Sequence, residues 1–120
     1  MKTAYSLSNE TPDGTIFFAG IIPDLDDKKE VKSPGNIEEQ MDQVFNEFER
    51  RMELDKVGKV NIVMATVIIS SMDLFPVVSA RYAKFFEGVE KMPARALFSG
   101  GLVGGSMLEI VPIASRHKMK

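Results

Sequence analysis

Arg95 and Glu109 are the residues of this 120-residue chain best placed to do chemistry, because each is a lone charge inside an apolar run. The first run, 92–98, reads Met-Pro-Ala-Arg-Ala-Leu-Phe, and the second, 107–114, reads Met-Leu-Glu-Ile-Val-Pro-Ile-Ala. Both have the look of strands, and Gly100, Gly101, Gly104 and Gly105 between them suggest a flexible hairpin turn. A charge inside a strand pattern is costly unless it is paired, solvated in a cleft or used. On neighbouring strands the two charges make either a cross-strand ion pair or the two ends of a small polar site. An arginine fork grips a planar carboxylate bidentately and does not titrate away. A carboxylate such as Glu109 can accept a proton from a water, typically worth about 10²–10⁴-fold in rate.

Composition closes most other routes. There is no cysteine, which removes disulfides, thiol nucleophiles and thiolate metal sites together. The only histidine, His117, sits in the basic tail Arg116-His117-Lys118-Met119-Lys120, where a solvated residue on a frayed end is expected. The usual nucleophile–base pairs and zinc sets are therefore missing, and no metal is expected. The acidic stretch 24–30 lacks the spacing and turn glycine of a calcium loop. The glycines at 100–105 lack the lysine or the spacing of a phosphate cradle. A net charge of −2 provides no overall positive field, so neither nucleic acid nor an anionic membrane is an expected partner. No apolar run is long enough to span a bilayer, and the first residues lack a signal-peptide core, so a cytoplasmic location is expected.

The elements that must position the two charges follow from periodicity. One domain, 1–120, is expected, with an ordinary 44% hydrophobic content. A short strand at 4–8, a turn at 9–14 and a β-rich run at 15–22 read as an N-terminal hairpin. Asn36 caps a helix with Glu39 completing a capping box. The stripe Ile37, Met41, Val44, Phe45, Phe48 and Met52 runs along it, and Gly58 suits a left-handed end. Its charges, Glu47, Arg50 and Arg51 among them, read as a solvated face. The run 60–70 is the strongest strand signal, with Val60, Ile62, Met64 and Ile68 on one face and Val63, Ala65, Val67 and Ile69 on the other. Apolar on both faces, it needs cover on both. A second helix starts near Asp73, capped by Ser71 or Asp73, with Phe75, Val78, Tyr82, Phe85 and Phe86 on its core side. Two helices cover one face of a β β α β α β β sheet, and the apolar face left over implies packing between copies of the chain.

In this order and spacing the segments resemble the RidA/YjgF (reactive intermediate deaminase) family over about residues 15–114. The carriers are Ala19-Gly20-Ile21-Ile22-Pro23, Glu39-Gln40, 67–75, Tyr82-Ala83-Lys84-Phe85-Phe86, Pro93-Ala94-Arg95-Ala96, Leu108-Glu109-Ile110 and Ile113-Ala114. The resemblance implies a chorismate-mutase-like α+β fold, assembled as a homotrimer with a central barrel of sheets and sites in clefts between subunits. It implies hydrolysis of 2-imino acids, such as 2-aminoacrylate or 2-iminobutanoate, to 2-keto acids and ammonia without a cofactor. By position, Arg95 matches the carboxylate-gripping arginine and Glu109 the glutamate associated with the attacking water. Gly20 and Leu97 would supply backbone groups, and Tyr5 matches an N-terminal tyrosine that reaches a neighbouring subunit's site. Ser79 stands where some members carry asparagine, Ala19 where serine is common, and Leu97 where cysteine is frequent. The segment Thr3-Ala4-Tyr5-Ser6-Leu7 also departs from the family's usual text. Two rival functions stay open beside deamination: a non-catalytic trimer binding small carboxylates or proteins, and RNA cleavage as attributed to some members.

Overall fold

The apolar run after Asn61 becomes the strand on which the sheet is built. In a computed structural model, which describes residues 4–118, the elements are β1 (Ser8–Glu10), β2 (Thr15–Phe18), α1 (Ile37–Leu54), β3 (Ile62–Ile69), α2 (Phe75–Phe85), β4 (Ala94–Ser99) and β5 (Leu108–Ser115). The expected β β α β α β β order is present. Met1–Thr3 of the N-terminal text and Met119–Lys120 of the basic tail lie outside the described residues. The strands form one mixed sheet in the order β1-β2-β5-β3-β4, with only β3 and β4 parallel. Since β3 lies between β4 and β5, the glycine-rich segment is not a hairpin turn, and the two charged runs are not neighbouring strands. A parallel β3–β4 pair needs a crossover, and α2 supplies it.

Both helices lie on one face of the sheet. Ala65, Val67 and Ile69 of β3, Leu108, Ile110 and Ala114 of β5, and Ile16 and Phe18 of β2 are buried there. They meet Met41, Val44, Phe45, Phe48 and Met52 of α1 and Val78, Tyr82 and Phe85 of α2. Phe45, Phe48, Phe85 and Phe86 stack with ring centroids 4.7–6.0 Å apart, which joins the helices into one layer. The molecule is a slab of 39 × 38 × 20 Å, two layers thick. On the uncovered face Phe17 and Phe98 stay about half exposed, at 47% and 50%. Met64, Thr66 and Ile68 of β3 and Val111 and Ile113 of β5 are half-buried.

Several local expectations need correction. The first strand begins at Ser8 rather than Ala4, because its partners are Ile16, Phe17 and Phe18 of β2. Lys59–Asn61 form a 3-10 turn that delays β3, and a register shift between Ile62 and Met64 moves Ile62 onto the helix face. Asn36 does cap α1, accepting from the Glu39 amide at 3.0 Å, but the Glu39 carboxylate returns to the Asn36 side-chain amide, not its backbone. The helix closes at Asp55, and Lys56 rather than Gly58 takes the left-handed conformation, with φ 58°. Ser71 caps a 3-10 turn, Met72–Leu74, ahead of α2. Phe75, expected in the core, is consequently 39% exposed.

Gln40 ties the first helix to the strand that carries Glu109. Fully buried, it donates to the Ser33 carbonyl at 2.9 Å and accepts from the Met107 amide at 2.8 Å. Loop and strand are thereby fixed from one helical position.

Candidate functional site

The backbone around Gly20 departs from a regular strand, and Glu109 explains why. Phe17 pairs with Ile113, whereas Ile21 pairs with Ile110, so β2 carries one residue more than β5 over this interval. The extra residue makes a β-bulge at Ala19-Gly20, a device that re-aims side chains beside functional sites. Beyond it the chain is pinned by Ile21 N to Ile110 O at 2.7 Å and Ile110 N to Ile21 O at 3.0 Å. The Glu109 carboxylate lies directly on the Cα of Gly20, and a Cβ added there would overlap Glu109 Oε2. Glycine is required at 20 for close approach.

Glu109 opens into a cleft of about 480 Å³ lined by Tyr5, Ser6, Ala19, Gly20, Ile22 and Val103. Burial pushes its carboxyl above the ordinary value of 4.5, and no basic side chain pairs with it among the described residues. Val103 sits on a tight 3-10 turn, Val103–Gly105, whose Gly104 adopts φ 58°. A side chain at Gly104 would run into the Lys29 carbonyl, while its own carbonyl accepts from Val31 N at 2.8 Å. Ser106 closes the turn, donating from Oγ to the Val103 carbonyl at 2.6 Å. This wall of the cleft is therefore built on fixed backbone.

Arg95 lies elsewhere. On β4 it pairs with Ala65, and Leu97 two residues on pairs with Val67, so both share the helix-covered face. Glu109, between buried Leu108 and Ile110, belongs to the opposite face. Ile68 pairs with Glu109 on one side and Phe98 on the other. Two strand spacings and a three-residue offset put the Arg95 and Glu109 Cα atoms roughly 14 Å apart. The cross-strand ion pair is thus overturned: no such bridge forms, and the sheet itself separates the charges. α2 instead holds Arg95, whose Nη1 donates to Ser79 Oγ at 3.1 Å while the guanidinium lies 5.1 Å from the Tyr82 ring centroid.

The six residues singled out from sequence fall into two groups of three. Tyr5, Gly20 and Glu109 share the cleft on one face. Ser79, Arg95 and Leu97 share the β4 edge on the other. Ile22 and Val103 were missed as cleft walls; the one legible signal for them was the Gly104-Gly105 pair that fixes the turn. Among the described residues no cluster of three or more His, Asp or Glu side chains is placed to hold a metal ion. None of the helices described is long and apolar enough to cross a membrane.

Comparison with known proteins agrees with this fold. The sequence profile of the endoribonuclease L-PSP family matches residues 2–116. A solved Entamoeba histolytica structure of the endoribonuclease L-PSP type is 28% identical, with a TM-score of 0.81 over 96% of this chain and 90% of its own. YyfA of Yersinia pestis, a protein of unknown function from the conserved Rid family, is 27% identical with a TM-score of 0.84 and the same coverage, 96% and 90%. RidA from an Antarctic Psychrobacter, at 22% identity, TM-score 0.79 and coverage of 94% and 89%, shares the fold. No curated protein matches the chain.

Proposed function

The chain belongs to the endoribonuclease L-PSP family, which takes in the Rid and YjgF proteins, and from that premise we propose that it hydrolyses 2-imino acids in clefts between subunits of a homotrimer. The observation that carries this reading is the separation of the two half-sites. A base-like glutamate waits in a cleft on one face, and a carboxylate-gripping arginine waits at the far edge of the other. Neither completes a site alone, and the uncovered apolar face with Phe17 and Phe98 half exposed favours packing against further copies. A ring in which each subunit's β4 edge meets its neighbour's Gly20–Glu109 cleft brings the two halves together.

In such a site the substrate carboxylate lies on the Arg95 fork, which Ser79 and Tyr82 hold in place. The protonated imine is already electrophilic, so no covalent nucleophile is needed. Glu109 accepts a proton from a water as its oxygen bonds to C2. Burial makes this carboxylate a stronger base than usual. Protonated Glu109 then returns its proton to the nitrogen of the tetrahedral carbinolamine. The C–N bond breaks as the carbinolamine hydroxyl becomes C=O and gives its proton back to Glu109, which passes it to the departing ammonia, and ammonium and the 2-keto acid leave. Backbone groups of Gly20 and Leu97 and the Tyr5 side chain are the proposed remaining contacts. The chemistry calls for no cofactor.

The test is to generate 2-aminoacrylate or 2-iminobutanoate in situ and follow its decay with and without the protein. Wild type should accelerate decay and Arg95→Ala should abolish the effect; equal rates for the two would sink the reading. Carboxylate binding that survives Glu109→Gln, with no turnover by wild type, would mark a binding module instead. RNA cleavage that purifies with the protein and vanishes in Arg95→Ala would favour the activity in the family's name. The net charge of −2 argues against it.

A further inference from the structure

Arg51 departs most from what its position in the sequence suggests. It belongs to the charged run of α1 that reads as a solvated face, yet its side chain is only 11% exposed. A guanidinium is not buried without partners. Its Nε donates to Glu47 Oε2 at 2.6 Å, one helical turn back, and its Nη1 reaches the Ala19 carbonyl at 3.3 Å. Arg50 grips the same Glu47 carboxylate from the solvent side at 2.7 and 2.8 Å. These two arginines, Arg50 first, hold the Glu47 carboxyl below the usual carboxylate range.

We propose that Arg51 is a positioning residue, which, clamped by Glu47, holds the Ala19 carbonyl and so sets the bulge that presses Gly20 onto the Glu109 carboxylate. Ala19 and Gly20 share one peptide plane, so fixing the carbonyl of the first fixes the amide of the second. Among the described residues no other donor bonds to the Ala19 carbonyl, while the Ala19 amide donates to the Leu7 carbonyl at 2.9 Å. A planar fork can span Glu47 and the carbonyl at once, which a lysine's point charge does not. Arg51 therefore acts from behind the wall, two bonds' reach from a site it does not enter.

The readout is the titration of Glu109 itself, followed by carboxyl ¹³C shifts and assigned by its loss in Glu109→Gln. Tyr5 is the other titratable side chain lining the cleft, and burial is the sole cause of the raised Glu109 value, so hydration is what the titration reports. Arg51→Lys and Arg51→Met should both loosen the bulge, admit water and move the Glu109 midpoint down toward 4.5. A pure charge effect has a different signature: no change for Arg51→Lys and an upward shift for Arg51→Met. That pattern, or an unmoved midpoint in variants that merely melt earlier, overturns the proposal. Glu47→Gln, which frees Arg51 without removing it, gives the same test should Arg51→Met fail to fold.

A kinetic arm rests on the deaminase reading. There kcat should fall about tenfold, short of the roughly 10²-fold that a 1 Å misplacement can cost, with KM changed by less than about twofold. Wild-type turnover no better than Arg95→Ala would defeat that reading and leave the titration to decide on Arg51.

Discussion

Mixing subunits tests the split site most directly. Arg95→Ala removes the proposed anchor and leaves the Gly20–Glu109 cleft whole; Glu109→Gln removes the base and leaves the β4 edge whole. Each variant alone should lose most turnover, the second by about 10²–10⁴-fold if Glu109 is the general base. Arg95 and Glu109 lie on opposite faces of one sheet, and the proposed ring would take one from each of two adjacent subunits. With equal amounts co-expressed and randomly assembled, a given site draws an intact Arg95 about half the time and an intact Glu109 about half the time. About one site in four is then wild type, and the mixture should show about a quarter of wild-type kcat at unchanged KM. Distinct affinity tags on the two variants isolate mixed rings, in which one site of the three is wild type and about a third of wild-type kcat is expected, and the assay is decay of an imine generated in situ. Activity of the mixture no higher than the mean of the two parents would refute the intersubunit site. Full activity of Glu109→Gln alone would refute the role of the base.

Gly20→Ala should leave the fold intact and suppress turnover, since the new methyl must displace the Glu109 carboxylate; circular dichroism and steady-state rates on the same sample decide it. The acid limb of the kcat profile should lie above 4.5, because the base works only when ionised and burial raises its pKa; the limb should disappear in Glu109→Gln. Gln40→Leu strands the Met107 amide, costing about 1–3 kcal/mol, whereas the Ser33 carbonyl keeps the Asn36 amide at 3.2 Å. Urea denaturation should show that loss with little change in the slope.

Much of the fold was legible because local signals agreed. The stripe from Ile37 to Met52 with Asn36 ahead of it gives a helix whatever surrounds it. The doubly apolar run after Asn61 gives a central strand. Strand order was another matter. A glycine-rich link between two strand-like runs reads as a hairpin, but pairing is decided by long-range partners, and β3 claims both. The opposite facing of Arg95 and Glu109 follows only from that order and register. Bulges were equally hidden, since one extra residue at Ala19-Gly20 or near Val63 reverses every inward–outward assignment beyond it. Arg51 was misread because its carbonyl partner lies 32 residues away in the chain.

The place of β5 in the sheet also bears on how the protein is made. The strand latest in the described chain, Leu108–Ser115, is inserted between β2 and β3. Until it leaves the ribosome, β1-β2 and β3-β4 are separate ribbons, each with an open edge. Such edges invite pairing with other chains, and non-local strand pairing is slow to form. Insertion of β5 is thus a single closing step that joins the two ribbons, covers their inner edges and delivers Glu109 to Gly20. A nascent chain stalled before this step would be a substrate for chaperones, and translation speed near residue 108 would set how long it remains one.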